Sequence, residues 1–536
     1  MKPNFSRSLL KTESSFDSGP QIPVRRSTLS RNANRFPSMA IATVFPLLLT
    51  SPAHANTEED IAVQPPKISV ILANNQQVAD GLLFVAPKAA GISGGTSPGP
   101  VGPEIVDNKG RPVWFLPITN GQSPADFRVQ KYHNHPVLTW AQQKGFGGLA
   151  QDESADYILD SSYRPVATVH AGNGLNADAH EFLISPEDTA LITIYSALPH
   201  DLSSVGGSSS GQLIEGVVQE IDIASGNVIF EWHSLDHVGL EESYQPLPTS
   251  SATPWDYFHL NAVSIDDDGN LLLSARHTST VYKIDRRTGT VVWRLGGKKS
   301  DFNLGTSVRF WYQHNPVVAG KNIIRIFDNE SNGTPVLPYS RVIWIKVDTL
   351  TGTAALVRSI QHPEGLSAVS QGGAQALDNG DTLVGWGSVG RFSEFDSDGH
   401  LIFDAAVPSG ADTYRAYRFV WHGNPRTKPT ATAQRQADGS TIVHAIWNGA
   451  TDVFRWDVLD ASGEEGNGDW DYAERGNRDH DEGRRIIASV TWNGLDTIIP
   501  VNRYLTSVRV VARDRAGREI GRSDTTAVSP YTAVSP

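Results

Sequence analysis

One short pattern recurs six times along the chain and constrains its fold more than any other feature. An apolar strand ends in aspartate, a tight turn that usually contains glycine follows, and a second apolar or aromatic strand returns. The aspartates of the six copies are Asp107, Asp160, Asp222, Asp285, Asp348 and Asp396. A repeat of roughly 50 to 60 residues that carries strand and turn signals throughout is typical of radial β architectures.

A second kind of hairpin lies between successive copies of this turn. Residues 180–195 and 259–276 are two examples, each with an apolar strand, a polar turn and a returning apolar strand. Two hairpins per repeat make four strands, and four-stranded units arranged around an axis are the blades of a β-propeller. The sequence therefore predicts an all-β chain with a six-bladed β-propeller over about 68–421. A stack of two sheets is the alternative, whereas the repeat is too long for the coil of a β-helix.

The strand pattern changes after Arg426. Residues 430–459 and 507–524 contain strands without the recurring turn, and together they predict a small C-terminal β-sandwich of the immunoglobulin or fibronectin type. The polar segment 463–485 is interpreted as a solvated loop, with calcium binding as an alternative that fits no EF-hand spacing. The predicted domains are a leader at 1–55, a propeller at 56–425 and a sandwich at 426–536.

The first 55 residues have the composition of an export signal. Seven basic and two acidic residues precede the apolar run Met39–Leu49, and the small residues that follow form a cleavage site after Ala55. The apolar run is too short to span a membrane. The sequence therefore predicts an exported chain, periplasmic or secreted, with no membrane span.

Charge and cysteine content exclude several classes of function. Removal of the leader changes the formal charge from −13 to −18, because seven basic and two acidic residues leave with it. A chain this acidic is not expected to bind nucleic acid. The absence of cysteine excludes disulfides, thiolate zinc sites and a cysteine nucleophile. It also excludes a disulfide-linked dimer, while a homodimer of another kind stays open.

The hairpin at 259–276 brings a histidine and an arginine to the same end of two neighbouring strands. If Asp266–Gly269 is its turn, the numbers of paired residues sum to 535, and His259 then lies opposite Arg276. Facing β-carbons in such a pair are roughly 5 Å apart. A guanidinium beside an imidazole lowers the pKa of the imidazole and keeps it neutral. This pair suits a sulfate or phosphate group, with a surface arginine and a structural histidine as the alternative.

Three histidines occupy matching positions in successive repeats. His180, His259 and His314 each begin the first strand of a predicted blade, so they should meet at one mouth of the central channel with Arg276 beside them. A three-histidine metal site is one interpretation, but the arginine would repel the cation. Sulfate or phosphate ester chemistry fits the arginine better, because a guanidinium forks onto two anionic oxygens. A histidine can then be the covalent nucleophile.

Missing motifs narrow the chemistry further. The chain contains neither of the formylglycine sulfatase patterns C-x-P-x-R and S-x-P-x-R. It also lacks the G-x-x-x-x-G-K-[ST] phosphate loop, which counts against nucleotide use. These absences argue against a formylglycine sulfatase and against a nucleotide substrate.

Long, ordered motifs resemble the nucleotide-independent arylsulfotransferase (aryl sulfate sulfotransferase) family. The strongest is PWDYFHLNAVSIDDDGNLLLSARHTSTVYKIDRRTGTVVWRLGGKKSDF at 254–302, joined by DAHEFLISPEDTALITIYS, FWYQHNPVV, IRIFDNES and YRAYRFVWHGNP. The resemblance covers about 68–425 and implies a six-bladed propeller. It also implies ping-pong transfer of a sulfuryl group from an aryl sulfate donor to a phenolic acceptor through a sulfohistidine, with no cofactor, no nucleotide donor and no metal.

The same resemblance implies roles for individual residues. His314 in the QHNP segment would be the nucleophile, while His180, His259 and Arg276 would bind the sulfuryl oxygens and share proton transfer. Aromatic residues near the predicted mouth are candidates to stack on an aryl ring, with packing inside a blade as the alternative; they include Trp255, Tyr257 and Trp311. His277 is expected on the opposite face of its strand. The rival functions are a non-catalytic propeller that binds an anionic or aromatic ligand or partner, and a hydrolase or lyase that uses the same pocket.

Overall fold

The computed structural model describes residues 64–74, 76–91, 99–144, 154–331, 338–462 and 486–531. Regular structure in these residues is almost entirely β-strand, which confirms the all-β prediction. The helical elements among them are single 3-10 turns, at Ser203–Val205, Ser234–Asp236, Leu240–Glu242, Thr306–Val308 and Gly387–Val389. The predicted leader at 1–55 and the polar segment 463–485 lie outside the described residues.

Six sheets of four or five strands follow one another between residues 69 and 419. Sheet 1 comprises Tyr417–Phe419, Leu82–Val85, Glu104–Val106 and Pro112–Phe115, in spatial order. Sheet 2 comprises Ser123–Tyr132, His135–Gln143, Ala155–Leu159 and Pro165–Val169. Sheet 3 comprises Ala177–Ile184, Thr189–His200, Gly211–Asp222 and Val228–His233, with Trp255–Asp256 added in parallel to Gly211–Asp222.

The next three sheets repeat the same meander. Sheet 4 comprises Leu260–Ile265, Leu271–Ala275, Thr280–Ile284 and Val291–Gly296. Sheet 5 comprises His314–Val318, Ile323–Asp328, Arg341–Asp348 and Thr353–Gln361, with Asn303–Leu304 added in parallel to the last strand. Sheet 6 comprises Gly373–Ala376, Thr382–Gly385, Arg391–Phe395, Leu401–Ala406 and Ser69–Ala73. A separate two-stranded ladder joins Lys88–Ala89 to Ala411–Asp412.

Strands from distant parts of the chain complete the first and last of these sheets. Tyr417–Phe419 supplies the first strand of sheet 1, where Leu82 pairs with Phe419. Ser69–Ala73 supplies the last strand of sheet 6, where Ser69 pairs with Ala406. The Ser69–Ala406 and Leu82–Phe419 pairs each join residues 337 positions apart. Sheets 1 and 6 therefore need strands from both ends of the region 69–419.

The recurring aspartates all have the same structural role. Each lies at the turn between the last two strands of one of the six meanders. The Oδ1 atom of Asp107 accepts hydrogen bonds from the backbone N–H groups of Lys109 and Arg111, at 2.9 and 3.0 Å. Asp285 does the same for Arg287 and Thr288, at 3.0 and 2.7 Å. A short acceptor side chain that ties its own turn explains why aspartate recurs at these positions.

The first strands of several sheets are irregular where they begin. The register shifts between Ala125 and Arg128 in sheet 2, and between Asp178 and Phe182 in sheet 3. It shifts again after Leu260 in sheet 4 and after His314 in sheet 5. Such bulges bend a strand and re-aim its side chains. They lie where the predicted site residues are.

Residues 430–527 form two further sheets. Sheet 7 comprises Thr430–Arg435, Thr441–Ile446 and Asp496–Val501, and sheet 8 comprises Ile486–Thr491, Arg455–Asp460, Ser507–Arg513, Glu519–Arg522 and Thr526–Ala527. One apolar cluster draws on both, including Val443 from sheet 7 with Trp456 and Val510 from sheet 8. The edge strand of sheet 1 contacts this region, because the Asn448 side chain bonds both the N–H and the C=O of Phe115.

Candidate active site

A cavity of about 450 Å³ lies at the beginning of the first strands of sheets 3, 4 and 5. Its lining includes all four residues for which a catalytic role was predicted, namely His180, His259, Arg276 and His314. All four side chains are buried. The fold therefore gathers residues that are up to 134 positions apart around a single space.

His259 and Arg276 face each other as predicted, although the hairpin reaches this register by another route. The N–H of Arg276 donates to the carbonyl of His259 at 2.9 Å. The turn is one residue longer than expected, because the N–H of Asp266 bonds the carbonyl of Asn270. The bulge after Leu260 then shifts the register back by one residue. His259 itself has a φ of 55°, a left-handed backbone conformation that non-glycine residues seldom adopt.

The prediction that His277 lies on the opposite face was wrong. The strand ends at Ala275, so the alternation of side chains no longer applies to the two residues that follow. The rings of His277 and His259 lie 4.5 Å apart between centroids. Nδ1 of His277 bonds the carbonyl of Asp256 at 2.5 Å, which leaves Nε2 to accept a hydrogen bond from Nη1 of Arg276 at 2.9 Å. Burial lowers the pKa of His277 to about 3, so the ring is neutral and holds the guanidinium.

Arg276 is a buried cation oriented by neutral groups. Its Nη2 donates to the carbonyl of Val369 at 3.1 Å, and its guanidinium lies 4.4 Å from the centre of the Tyr312 ring. No carboxylate among the described residues lies within ion-pair distance of it. Burial lowers the pKa of Arg276, and the more distant charge of Asp256 opposes this shift only in part. A guanidinium held this way can accept an anionic ligand without first breaking an ion pair.

Asn329 determines which nitrogen of His314 carries the proton. Its Nδ2 donates to the carbonyls of Ala368 and Gln371, at 2.8 and 2.9 Å, so its Oδ1 must face the histidine. Nδ1 of His314 lies 2.7 Å from that oxygen and therefore donates to it. Nε2 is then unprotonated, and it accepts a hydrogen bond from the N–H of Gln371 at 3.2 Å. The site holds His314 as a neutral imidazole with its lone pair on Nε2.

The other two histidines have carboxylates in the corresponding position. Nδ1 of His259 lies 2.5 Å from Oδ2 of Asp256. Nδ1 of His180 is hydrogen-bonded to Oδ1 of Asp178, which also accepts the N–H of His180 at 3.0 Å. A carboxylate stabilises a protonated imidazole, whereas an amide oxygen does so much less. The three imidazoles therefore differ in their partners, and His314 is the one without a carboxylate on Nδ1.

Burial keeps two of these imidazoles neutral. Burial is the largest cause that lowers the pKa of His314, and the charge of Arg276 lowers it further. The same two causes, in the same order, lower the pKa of His259. A neutral imidazole can act as a nucleophile, whereas an imidazolium cannot.

The predicted aryl-binding residues lie elsewhere. Trp255 and Tyr257 belong to the apolar core around sheets 3 and 4, where Trp255 donates to the Gln245 carbonyl and Tyr257 to Ser234 Oγ. Trp311 packs edge-on against Tyr244, with ring centroids 4.9 Å apart, and lines a different cavity. None of the three is part of the lining around the histidines. Packing in the apolar core accounts for Trp255 and Tyr257, whereas Trp311 lies in the segment before the first strand of sheet 5 and is half-buried.

Tyr414 is the aromatic side chain that does line the cavity. Its ring meets those of His180 and His314 edge-on, at centroid distances of 5.5 and 6.3 Å. Its hydroxyl donates to the carbonyl of Asn261 at 2.9 Å. Sequence reasoning passed over it, although it begins the closing motif YRAYRFVWHGNP. Asn329 was likewise passed over, although it directly follows the strand that pairs with His314.

Asp256, His259 and His277 form a group of potential metal ligands, whose ligand atoms lie within 4.8 Å of one another. These atoms are already bonded to one another or to the backbone. Nε2 of His277 also accepts a hydrogen bond from Arg276, which places a fixed positive charge beside the cluster. Such a cation opposes the binding of a second one. The residues present do not fit a metal.

Comparison with known families identifies the chain. The sequence profile of the family described as Arylsulfotransferase (ASST) matches residues 128–407, which contain all four predicted catalytic residues. The chain belongs to the arylsulfotransferase family. Membership in this family implies an enzyme that transfers sulfuryl groups, with aryl sulfates and phenols as the substrate classes. None of the helices in the described residues of this arylsulfotransferase is long and apolar enough to cross a membrane.

Comparison with solved structures finds distant likenesses. A protein of unknown function from Bacteroides caccae is 11% identical, with a TM-score of 0.38, and the match covers 63% of this chain and 98% of that one. The periplasmic gluconolactonase PpgL of Pseudomonas aeruginosa is also 11% identical, with a TM-score of 0.31, over 84% of this chain and 96% of that one. A search of curated proteins finds no match to this arylsulfotransferase.

Proposed function

We propose that the protein is a nucleotide-independent aryl sulfate sulfotransferase that works by a ping-pong mechanism through a sulfohistidine on His314. The observation that carries this proposal is the cavity in which a neutral His314, two carboxylate-backed histidines and an unpaired guanidinium meet. Sulfuryl transfer needs a nucleophile, a proton carrier and fixed donors for three oxygens, and the cavity lining offers each of them.

In the first step, Nε2 of His314 attacks the sulfur of an aryl sulfate. A bond forms between Nε2 and sulfur while the bond from sulfur to the aryl oxygen breaks, and the phenolate leaves. The Nδ1 proton stays on His314, so the intermediate is an N-sulfoimidazolium whose N–H still donates to Asn329. Arg276 binds the sulfuryl oxygens, and charge on them is stabilised best by donors that are already in place.

The backbone N–H of Gln371 has a place in this step. It now donates to the Nε2 lone pair that must attack sulfur. When sulfur arrives, the N–H loses this acceptor and can donate to a sulfuryl oxygen instead. Gln371 has a φ of 64°, so its backbone is held in a strained conformation at the edge of the cavity.

The second step reverses the first with another phenol. The acceptor oxygen attacks sulfur, the Nε2–sulfur bond breaks, and His314 returns to its neutral form. A base takes the proton of the attacking hydroxyl, and His259 or His180 is suited to this task because a carboxylate on Nδ1 stabilises the imidazolium that results. That imidazolium then loses its proton to solvent, which restores the neutral imidazole for the next cycle.

The remaining sequence predictions stay part of this proposal. The six sheets between residues 69 and 419 are proposed to be the blades of one propeller, and sheets 7 and 8 a β-sandwich, with the domain boundary at 425/426. Export of the mature chain to the periplasm or the medium rests on the composition of residues 1–55. A homodimer stays open.

The decisive experiment is a reaction of the purified mature chain with 4-nitrophenyl sulfate, with and without a second phenol. We expect a burst of about one nitrophenol per chain without the acceptor, continued release only with it, and a mass increase of one sulfuryl group on the peptide that contains His314. His314→Asn should abolish both signals, whereas His277→Gln should keep the adduct and weaken donor binding. Continued release beyond one equivalent without an acceptor would indicate a hydrolase, and binding without any release would indicate a non-catalytic propeller; either result would refute the transferase.

A further inference from the structure

A second, larger cavity lies at the other ends of the same first strands. Its volume is about 890 Å³, which is in the range of small-molecule pockets. His314 begins its strand in the histidine cavity, and Val317 of that strand lines the second cavity. In the first strand of sheet 3, His180 likewise lines the histidine cavity and Leu183 lines the second cavity. The two cavities therefore open towards opposite ends of these strands.

A buried ionic cluster occupies the stretch between the two cavities. Arg415 donates to Asp126 at 2.9 Å and to both carboxylate oxygens of Glu181. Arg128 donates to Glu181 at 2.6 Å and lies 3.1 Å from Asp126. The cluster holds two cations and two anions, so its charges balance. Arg128 also lines the second cavity, but its charge is already neutralised there.

Arg325 also lines the second cavity, and its buried positive charge is not balanced by a carboxylate. Its side chain is 6% exposed, and its Nη2 donates to the carbonyl of Ala374 at 2.6 Å. Its Nε has no hydrogen-bond partner, and none of the carboxylates in the described residues forms an ion pair with it. Burial lowers its pKa to about 10, so it remains a cation at neutral pH. An arginine buried without an anion is costly, because most buried charges are paired.

We propose that the second cavity binds an organic anion, with the acidic group on Arg325 and an apolar body against the surrounding side chains. The guanidinium offers a fork of donors that fits a carboxylate, a sulfonate or a sulfate. Leu183, Val317 and Phe419 supply apolar surface in the same lining. This site is separate from the proposed transfer site and does not depend on the proposed function.

Naphthalene-2-sulfonate is a suitable probe, because its carbon–sulfur bond cannot donate a sulfuryl group to His314. Binding is measured by titration calorimetry with the mature chain, the Arg325→Met variant and the Arg276→Met variant. We expect Arg325→Met to weaken binding at one site at least tenfold while turnover of 4-nitrophenyl sulfate stays unchanged. Arg276→Met should keep that binding event. Unchanged binding in Arg325→Met, or loss of all binding in Arg276→Met, would overturn the proposal.

Two controls keep the result interpretable. Arg358→Met removes an arginine from the same sheet whose Nη2 bonds only backbone carbonyls of Asp396 and Ser397, and it should bind the probe like the parent chain. If Arg325→Met does not fold, Arg325→Lys keeps the charge without the fork and should bind the probe more weakly. Inorganic sulfate should bind at least tenfold more weakly than the probe. Equal binding of sulfate would show that the apolar surface contributes nothing and would refute an organic ligand.

Discussion

Replacement of Asn329 by leucine tests whether the tautomer of His314 matters to its chemistry. The Asn329 side chain makes three hydrogen bonds, to His314, Ala368 and Gln371, and it is fully buried. At about 1 kcal/mol for each hydrogen bond, Asn329→Leu should lower the free energy of unfolding by about 3 kcal/mol. Chemical denaturation would measure this loss.

The effect on the first chemical step has a separate cause. In the variant, Nδ1–H of His314 lies buried without an acceptor, which costs about 1–3 kcal/mol. If the proton moves to Nε2 instead, the lone pair needed for attack is lost and the Gln371 N–H has no acceptor. A change of 1.36 kcal/mol in the barrier corresponds to a tenfold change in rate. We therefore expect the initial burst of nitrophenol, which reports the first chemical step, to slow by roughly 5- to 150-fold.

Ser340→Ala is the matched control for this experiment. Ser340 Oγ donates to the carbonyl of Asn329 and accepts the N–H of Ala368, but it does not touch His314. It should therefore destabilise the same buried network and leave the burst rate near that of the parent chain. The reasoning fails if both variants slow the burst equally, or if Asn329→Leu slows it by less than twofold while the protein remains folded.

Three further predictions concern charge and pH. Arg415→Met leaves Asp126 and Glu181 with only Arg128 as a cation, so it should destabilise the fold by about 3–5 kcal/mol, and a loss below 1 kcal/mol in denaturant melts would contradict the buried cluster. Burial lowers the pKa of His314, so the rate of the nitrophenol burst should not fall as the pH is lowered through 6.5. Chromatography would measure this rate, and a sigmoidal loss centred near pH 6.5 would count against a neutral nucleophile. Burial raises the pKa of Glu104, whose two oxygens have no hydrogen-bond partner, so its contribution to stability is present below pH 4 and is lost as pH rises. Glu104→Gln should therefore raise the melting temperature at pH 8 more than at pH 4, and an equal shift at both pH values would argue against this titration.

Several elements of the site were accessible from the sequence. The aspartate turns could be counted because each one is a local structure that needs only its own five or six residues. The positions of His180, His259 and His314 could be aligned because each is tied to a neighbouring turn. The opposition of His259 and Arg276 was also predicted, but the longer turn and the bulge after Leu260 cancelled each other, and neither was foreseen. That prediction was right for an incomplete reason.

Other elements depended on contacts that the sequence does not encode locally. His277 follows the end of a strand, and only the position of that end decides which way its ring points. Trp255, Tyr257 and Trp311 are near the site residues in sequence, yet the first two pack into an apolar core and Trp311 lines a different cavity. Tyr414 reaches the histidines from a position 100 residues beyond His314 in the chain.

The sequence by itself determined the all-β class, the sixfold repeat and which four side chains would meet. These depend on local turn chemistry and on a periodic pattern, both of which act over a few residues. Only the tertiary structure decided that Asn329 faces His314, because that contact joins two neighbouring strands at a bulge and the amide is fixed by two carbonyls from the segment that precedes sheet 6. It also decided that Arg325 would be buried without an anion, since burial and pairing are properties of the packed sheets and not of any one segment.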